Sequence, residues 1–155
     1  MGEGLRKSRL LALLVPAALL AGALGSQYFG GLVPCEMCHW QRWPHYAAVA
    51  LALAAFAYRP AARPFVILAA LAIATSGVIG VYHVGVELGM FEGITSCAAP
   101  LSTGTTADAL KSIMATPLVR CDQPQFSFGG VSMAGWNAII SLASAGLILW
   151  LGRRR

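Results

Sequence analysis

The stretch Pro64–Val86, PFVILAALAIATSGVIGVYHVGV, runs for 23 residues without a charged side chain. A helix rising about 1.5 Å per residue needs roughly 20 such residues to cross a bilayer core. Strands spaced through lipid would show alternating segments of about ten residues. Here Ala and Leu run on continuously, as they do in Ala50–Ala57, ALALAAFA. An open strand would also leave its backbone groups unpaired in hydrocarbon. The stretch is therefore a membrane helix, and Gly77 and Gly80 give it a small-residue face for close packing.

Working outward, the same charge-free pattern recurs three times. Leu10–Pro34 holds 25 residues without a charge, Trp43–Tyr58 holds 16, and Gln123–Gly152 holds 30. The second is short and borrows the turn Cys38–Arg42, whose long Arg side chain can snorkel. The expected architecture is an all-α integral membrane protein, a bundle of four transmembrane helices forming one domain over residues 1–155. Its spans lie near 10–29, 41–58, 65–86 and 132–151, with outer loops near 30–40 and 87–131. Pro16 falls inside the first span as a tolerated kink.

Composition agrees. Of the 155 residues, 57% are hydrophobic and 11% charged, and mean hydropathy is +0.68. A small soluble domain needs far more polar surface, about a quarter of its residues charged. This excludes a soluble domain and a disordered chain. The net charge of +5 is not a nucleic-acid signature either, because it is a matter of topology. With four spans, Arg6, Lys7, Arg9, Arg59, Arg63 and Arg153 to Arg155 share one side with the single acid Glu3. Arg42, Lys111 and Arg120 share the other with Glu36, Glu87, Glu92, Asp108 and Asp122. Lys and Arg accumulate on the cytoplasmic side, which places both termini there. A cleaved leader ending near Gly25 would leave three spans. Retention is expected, because apolar character continues through Tyr28, Phe29, Leu32 and Val33.

All four cysteines then fall on the outer side. Cys35 and Cys38 precede the second span, and Cys97 and Cys121 lie in the second outer loop. Outside a bacterial inner membrane disulfides persist. Four cysteines allow three complete pairings, the local one being Cys35–Cys38 with Cys97–Cys121. A stapling role suits Cys97–Cys121, which would close a long loop. It suits Cys35–Cys38 poorly, since C-x-x-C closes almost no loop. That spacing reads as a redox pair. Structural zinc would want a second tight pair or suitably spaced histidines, and Cys97 and Cys121 are separated by 23 residues, so no metal is expected. Cys38 falls in the first turn of its helix, where unpaired N–H groups favour an anion, and Arg42 lies one turn on. Both favour a Cys38 thiolate. Two such pairs on one side make a relay, one pair for a water-soluble partner and one for a lipid-soluble acceptor.

The run Pro34-Cys35-Glu36-Met37-Cys38-His39-Trp40-Gln41-Arg42 resembles the first-loop motif of the DsbB family, disulfide bond formation protein B. The likeness covers nearly the whole chain, including the separated cysteine pair and Trp136 opening the fourth span. Gln41 stands where the family often has an acid, and Glu36-Met37 where it often has apolar residues. The resemblance implies an inner-membrane, quinone-dependent thiol oxidase that reoxidises a periplasmic, thioredoxin-fold oxidase of the DsbA type. The quinone would be ubiquinone or menaquinone. Carried over, Cys97 forms the mixed disulfide with the partner, Cys121 exchanges with Cys35, Cys38 faces the quinone, and Arg42 stabilises its charge. A family histidine near His83 points to a quinone contact there, with Glu87 one turn later in a supporting role. His39 and His45 are read as interface residues. Within the second loop, Thr105–Thr116 reads as a short amphipathic helix on the membrane surface, capped by Thr105 or Thr106 with Asp108 in its first turn. Phe126, Phe128 and Met133 form a weaker candidate docking surface.

Overall fold

The computed structural model describes residues 2–93, 105–115 and 119–153. Among them four long helices form the body: α1 (Glu3–Tyr28), α2 (Glu36–Ala57), α3 (Ala62–Glu87) and α5 (Met133–Arg153). A short helix α4 (Thr106–Ala115) and a two-stranded ribbon, β1 (Ser127–Phe128) and β2 (Val131–Ser132), lie between α3 and α5. By length and composition α1, α3 and α5 can each cross a membrane. The first turns of α2 carry Glu36, His39, Gln41, Arg42 and His45, which dilute its hydropathy.

The α3 helix is the centre of the bundle, packed against α2 on one side and α5 on the other. Small residues make this possible. A Cβ on Gly80 would come within 3.0 Å of the Ala134 carbonyl oxygen and 3.2 Å of the Ala138 Cβ. A Cβ on Gly77 would meet the Leu142 side chain at 2.8 Å. The two helices thus approach almost backbone to backbone, as small-residue faces permit. At the opposite end from the cysteines, Ala12, Ala48, Ala52, Val66, Ile73 and Ile148 form the main buried core.

Helix α3 stops by a Schellman arrangement. The Met90 N–H donates to the Gly85 carbonyl at 2.8 Å and the Gly89 N–H to the Val86 carbonyl at 3.0 Å, with Gly89 at φ 69°. That positive φ suits glycine. The turned-back chain lays Phe91 over Gly85 and stacks its ring on Tyr82, with centroids 5.4 Å apart. The ribbon closes through Gly129 and Gly130, at φ 60° and 78°, a two-residue hairpin of the kind Gly-Gly favours. The sequence reading assigned no strand there, although Gly129-Gly130 between Phe128 and Val131 carries that signal. The ribbon delivers the chain into α5, where the Ser132 Oγ accepts from the Gly135 N–H at 3.1 Å.

Candidate active site

The redox motif is built on the start of α2. Cys35 is the N-cap, and its sulfur accepts from the Cys38 backbone N–H at 3.3 Å. This turns the Cys35 sulfur back over the first turn, where it donates to the Cys38 sulfur at 2.8 Å. The proton therefore stays on Cys35 and the negative charge on Cys38. The hydrogen bond from Cys35 lowers the Cys38 pKa to about 7 against the opposing effect of burial, and the Arg42 charge helps while Glu87 resists. Cys38 sits ahead of the apolar part of α2, at the helix end that favours anions. The same hydrogen bond, with burial, pushes the Cys35 thiol well up.

Arg42 does not hydrogen-bond to Cys38. Its Nη1 donates to the Gln27 Oε1 at 2.5 Å and its Nη2 to the Ala23 carbonyl at 3.0 Å, both on α1. It is 8% exposed and acts on the thiolate through space.

His83 reaches the motif from α3. Its Nε2 lies 3.7 Å from the Cys35 sulfur, 3.2 Å from the Cys121 carbonyl oxygen and 3.9 Å from the Glu87 Oε1. Cys121 is buried, and packs in one cluster with Cys35, Met37 and Val86. On the other side of the ring, His83 Nδ1 meets Gln41 Nε2 at 2.8 Å. Gln41 Oε1 accepts from Asn137 Nδ2 at 2.8 Å, and Asn137 Oδ1 meets His45 Nε2 at 2.9 Å. Ser76 and Ser141 complete this buried polar file.

A cavity of about 260 Å³ opens beside the motif. Ala18, Leu19 and Leu20 of α1 give it apolar walls, while Cys38, Arg42 and His83 face it from α2 and α3. The chain after Cys121 lies against it too, tied to the first loop by Gln125 Nε2 donating to the Val33 carbonyl at 2.5 Å.

The family described as Disulfide bond formation protein DsbB matches residues 5–151. The chain belongs to the DsbB family. Disulfide bond formation protein B of Methylococcus capsulatus is 32% identical, over 94% of this chain and 94% of its own. The protein of that name from Xanthomonas oryzae pv. oryzae is 30% identical, over 94% and 87%. That from Azoarcus sp. is 30% identical, over 89% and 87%. No solved structure matches the chain. As a DsbB-family member it is a helical membrane protein of a family that forms disulfide bonds.

Of the residues the sequence singled out, Cys35, Cys38, Cys121, Arg42, His83 and Glu87 converge at this one end of the DsbB bundle. Cys97 lies outside the described residues, as do residues 101–104 and 116, and the side chains of Asp108 and Ile113. Helix α4 begins at Thr106. Phe126 and Phe128 are exposed, and Met133 is 39% exposed. Sequence reasoning passed over Gln27, Ser76 and Asn137 and gave Gln41 no role, and it read as an interface residue His45, which is instead buried in the polar file. The available signal was polarity inside apolar helices, which marks functional positions. Gln41 and His45 stand four apart on α2, and Asn137 and Ser141 four apart on α5, so each pair shares a face.

Proposed function

We propose that this DsbB-family protein lies in a bacterial inner membrane with both termini cytoplasmic, reoxidises a periplasmic dithiol oxidase of the DsbA type, and passes two electrons to a membrane quinone. The reading is carried by one observation: the sulfurs of Cys38 and Cys35 stand 2.8 Å apart at the rim of an apolar cavity, with Cys121 packed behind Cys35.

Disulfide exchange moves the oxidising equivalents inward. The partner's thiolate attacks Cys97 of a Cys97–Cys121 disulfide, and Cys121 leaves as thiolate. That thiolate attacks the Cys35 sulfur of a Cys35–Cys38 disulfide, and Cys38 leaves. The partner's second thiolate then resolves the mixed disulfide at Cys97 and departs oxidised. The freed Cys97 thiolate attacks Cys121, restoring Cys97–Cys121 and releasing Cys35. The result is one oxidised partner and a reduced Cys35–Cys38 pair.

The cavity fits a quinone ring, with apolar walls for its faces, the Arg42 guanidinium as donor for a carbonyl oxygen, and His83 at its edge. A bound ubiquinone or menaquinone accepts two electrons and two protons. Toward it, Cys38 presents the thiolate, Cys35, its sulfur 2.8 Å from that of Cys38, holds a transferable proton, and Arg42 balances charge. Rapid anaerobic mixing of the purified protein with a reduced partner and ubiquinone should give quinol and an oxidised partner. Cys38→Ser should abolish quinol formation, and full activity in that variant would refute the scheme. Cys121→Ser should trap the partner through Cys97; trapping through Cys35 would reverse the order of the pairs.

A further inference from the structure

The buried file His83–Gln41–Asn137–His45 has only one consistent arrangement of protons. Around His83 Nε2 lie the Cys121 carbonyl at 3.2 Å, the Glu87 carboxyl at 3.9 Å and the Cys35 sulfur at 3.7 Å. A backbone carbonyl can only accept, so Nε2 carries the proton. Gln41 Nε2 also touches the Met37 carbonyl, at 3.2 Å, so the amide nitrogen is on that side and donates to His83 Nδ1. His83 is therefore neutral, with its lone pair on Nδ1. Asn137 Nδ2 is fixed in the same way by the Ser76 carbonyl at 3.3 Å, and it donates to Gln41 Oε1. Asn137 Oδ1 then accepts from His45 Nε2 and from Ser141 Oγ at 3.1 Å. Two backbone carbonyls, of Met37 and Ser76, thus set the amides, and the Cys121 carbonyl together with the Gln41 amide sets the histidine.

This arrangement bears on two roles His83 could otherwise take. The sulfurs of Cys35 and Cys38 and a nitrogen of His83 lie within 4.8 Å of one another, close enough for a shared metal ion. A metal needs a lone pair on the nitrogen it binds, and the Nε2 facing the sulfurs holds a proton. For the same reason His83 is no base toward Cys35. It can donate, and its nearest acceptor is the Cys121 backbone.

We propose that Gln41 and Asn137 lock His83 as an N–H donor at Nε2, and that this locked histidine holds the Cys121 carbonyl so that Cys121 stays beside Cys35. Gln41 and Asn137 are positioning residues in this scheme. The functional use of the contact, exchange between Cys121 and Cys35, rests on the reading proposed above. The lock itself is independent of it.

The test uses the full-length reduced protein in nanodiscs, labelled with [15N]histidine, with His83 assigned through His83→Asn. Nitrogen shifts and long-range proton couplings at mildly alkaline pH should show His83 protonated at Nε2 alone. In Gln41→Glu both carboxylate oxygens accept, so the proton should move to Nδ1. Its Nε2 lone pair would then repel the Cys121 carbonyl. Cys121 alkylation by a maleimide, read by mass spectrometry, should become about fivefold faster, the scale of one lost hydrogen bond. Asn137→Asp is the second variant. It keeps an acceptor for His45 but loses the donor to Gln41, and should give mixed His83 tautomers with intermediate Cys121 reactivity. A proton on Nδ1 in the unaltered protein would overturn the proposal. So would an inverted tautomer with unchanged Cys121 reactivity. Failure of Cys35 and Cys121 to form a disulfide on oxidation of Cys38→Ser protein would sink the relay instead, and leave the tautomer result standing.

Discussion

Arg42, the arginine of the redox motif in α2, donates to Gln27 of α1 at 2.5 Å. Its second nitrogen is taken by the Ala23 carbonyl, so α1 aims the cation whose charge favours the Cys38 thiolate. Hydrogen bonds to charged groups contribute about 1.5–3 kcal/mol, and about 1.4 kcal/mol is tenfold in affinity. Gln27→Leu should therefore raise the KM for quinone by about tenfold with little change in kcat, because it loosens a binding group without removing a thiol. Steady-state kinetics with varied ubiquinone check this; an unchanged KM would detach Gln27 from the site.

The Cys38 thiolate gives a pH profile. Its pKa is lowered to about 7, chiefly by the Cys35 hydrogen bond. In the reduced protein, iodoacetamide should modify Cys38 at a rate that rises with pH to a half-maximum near that value. In Cys35→Ala the donor is gone, and the midpoint should move up toward the ordinary thiol value of about 8.5. The linkage to stability has the sign of a depressed acid. Stabilisation from the Cys38 thiolate is fully present above the unfolded thiol value of about 8.5 and is lost as pH falls through about 7. A midpoint unmoved in Cys35→Ala would reject the hydrogen bond as the cause.

The crossing of α3 and α5 depends on Gly80. A methyl group there already meets the Ala134 carbonyl at 3.0 Å, and backbone cannot rotate away as a side chain can. Gly80→Val should cost about 1–3 kcal/mol, the range for overpacking. Gly77→Ala meets side-chain atoms, Leu142 Cγ at 2.8 Å and Ser141 Cβ at 3.2 Å; the leucine can shift, and this smaller substitution should cost less. Thermal unfolding in detergent ranks the two, and equal effects would contradict the close crossing.

The helices were legible because their cause is local. Pro64–Val86 has the length and composition of a membrane span and becomes most of α3, and Gly77 and Gly80 mark its packing face. The redox motif was legible for the same reason, since Cys35, Cys38 and Arg42 lie within two turns. Whatever depends on tertiary approach was not. Gln41 and Asn137 are 96 residues apart in the chain yet 2.8 Å apart in space. Arg42 was expected to face its thiolate, and nothing in its spacing shows that Gln27 and Ala23 take its hydrogen bonds. His83 could be placed near the outer end of its helix by counting residues, but its partner Cys121 arrives from a loop whose path the sequence does not dictate.

Ser132 joins that loop to the site. Its hydroxyl donates to Glu87 Oε2 at 2.5 Å and accepts from the Gly135 N–H at 3.1 Å. One oxygen thus caps α5 and satisfies a carboxyl that is 9% exposed, itself 3.9 Å from His83. Loss of a serine cap costs about 1 kcal/mol, and leaving a buried acceptor short of a donor adds about 1–3 kcal/mol. Ser132→Ala should therefore destabilise by about 2 kcal/mol, and Ser132→Thr, which keeps the hydroxyl, by much less. In Glu87→Gln the amide can satisfy itself elsewhere, so adding Ser132→Ala should then cost little beyond the cap. Chemical denaturation of the four proteins of this double-mutant cycle measures the difference. Strict additivity would mean that Ser132 serves the helix alone and that Glu87 is held by other groups.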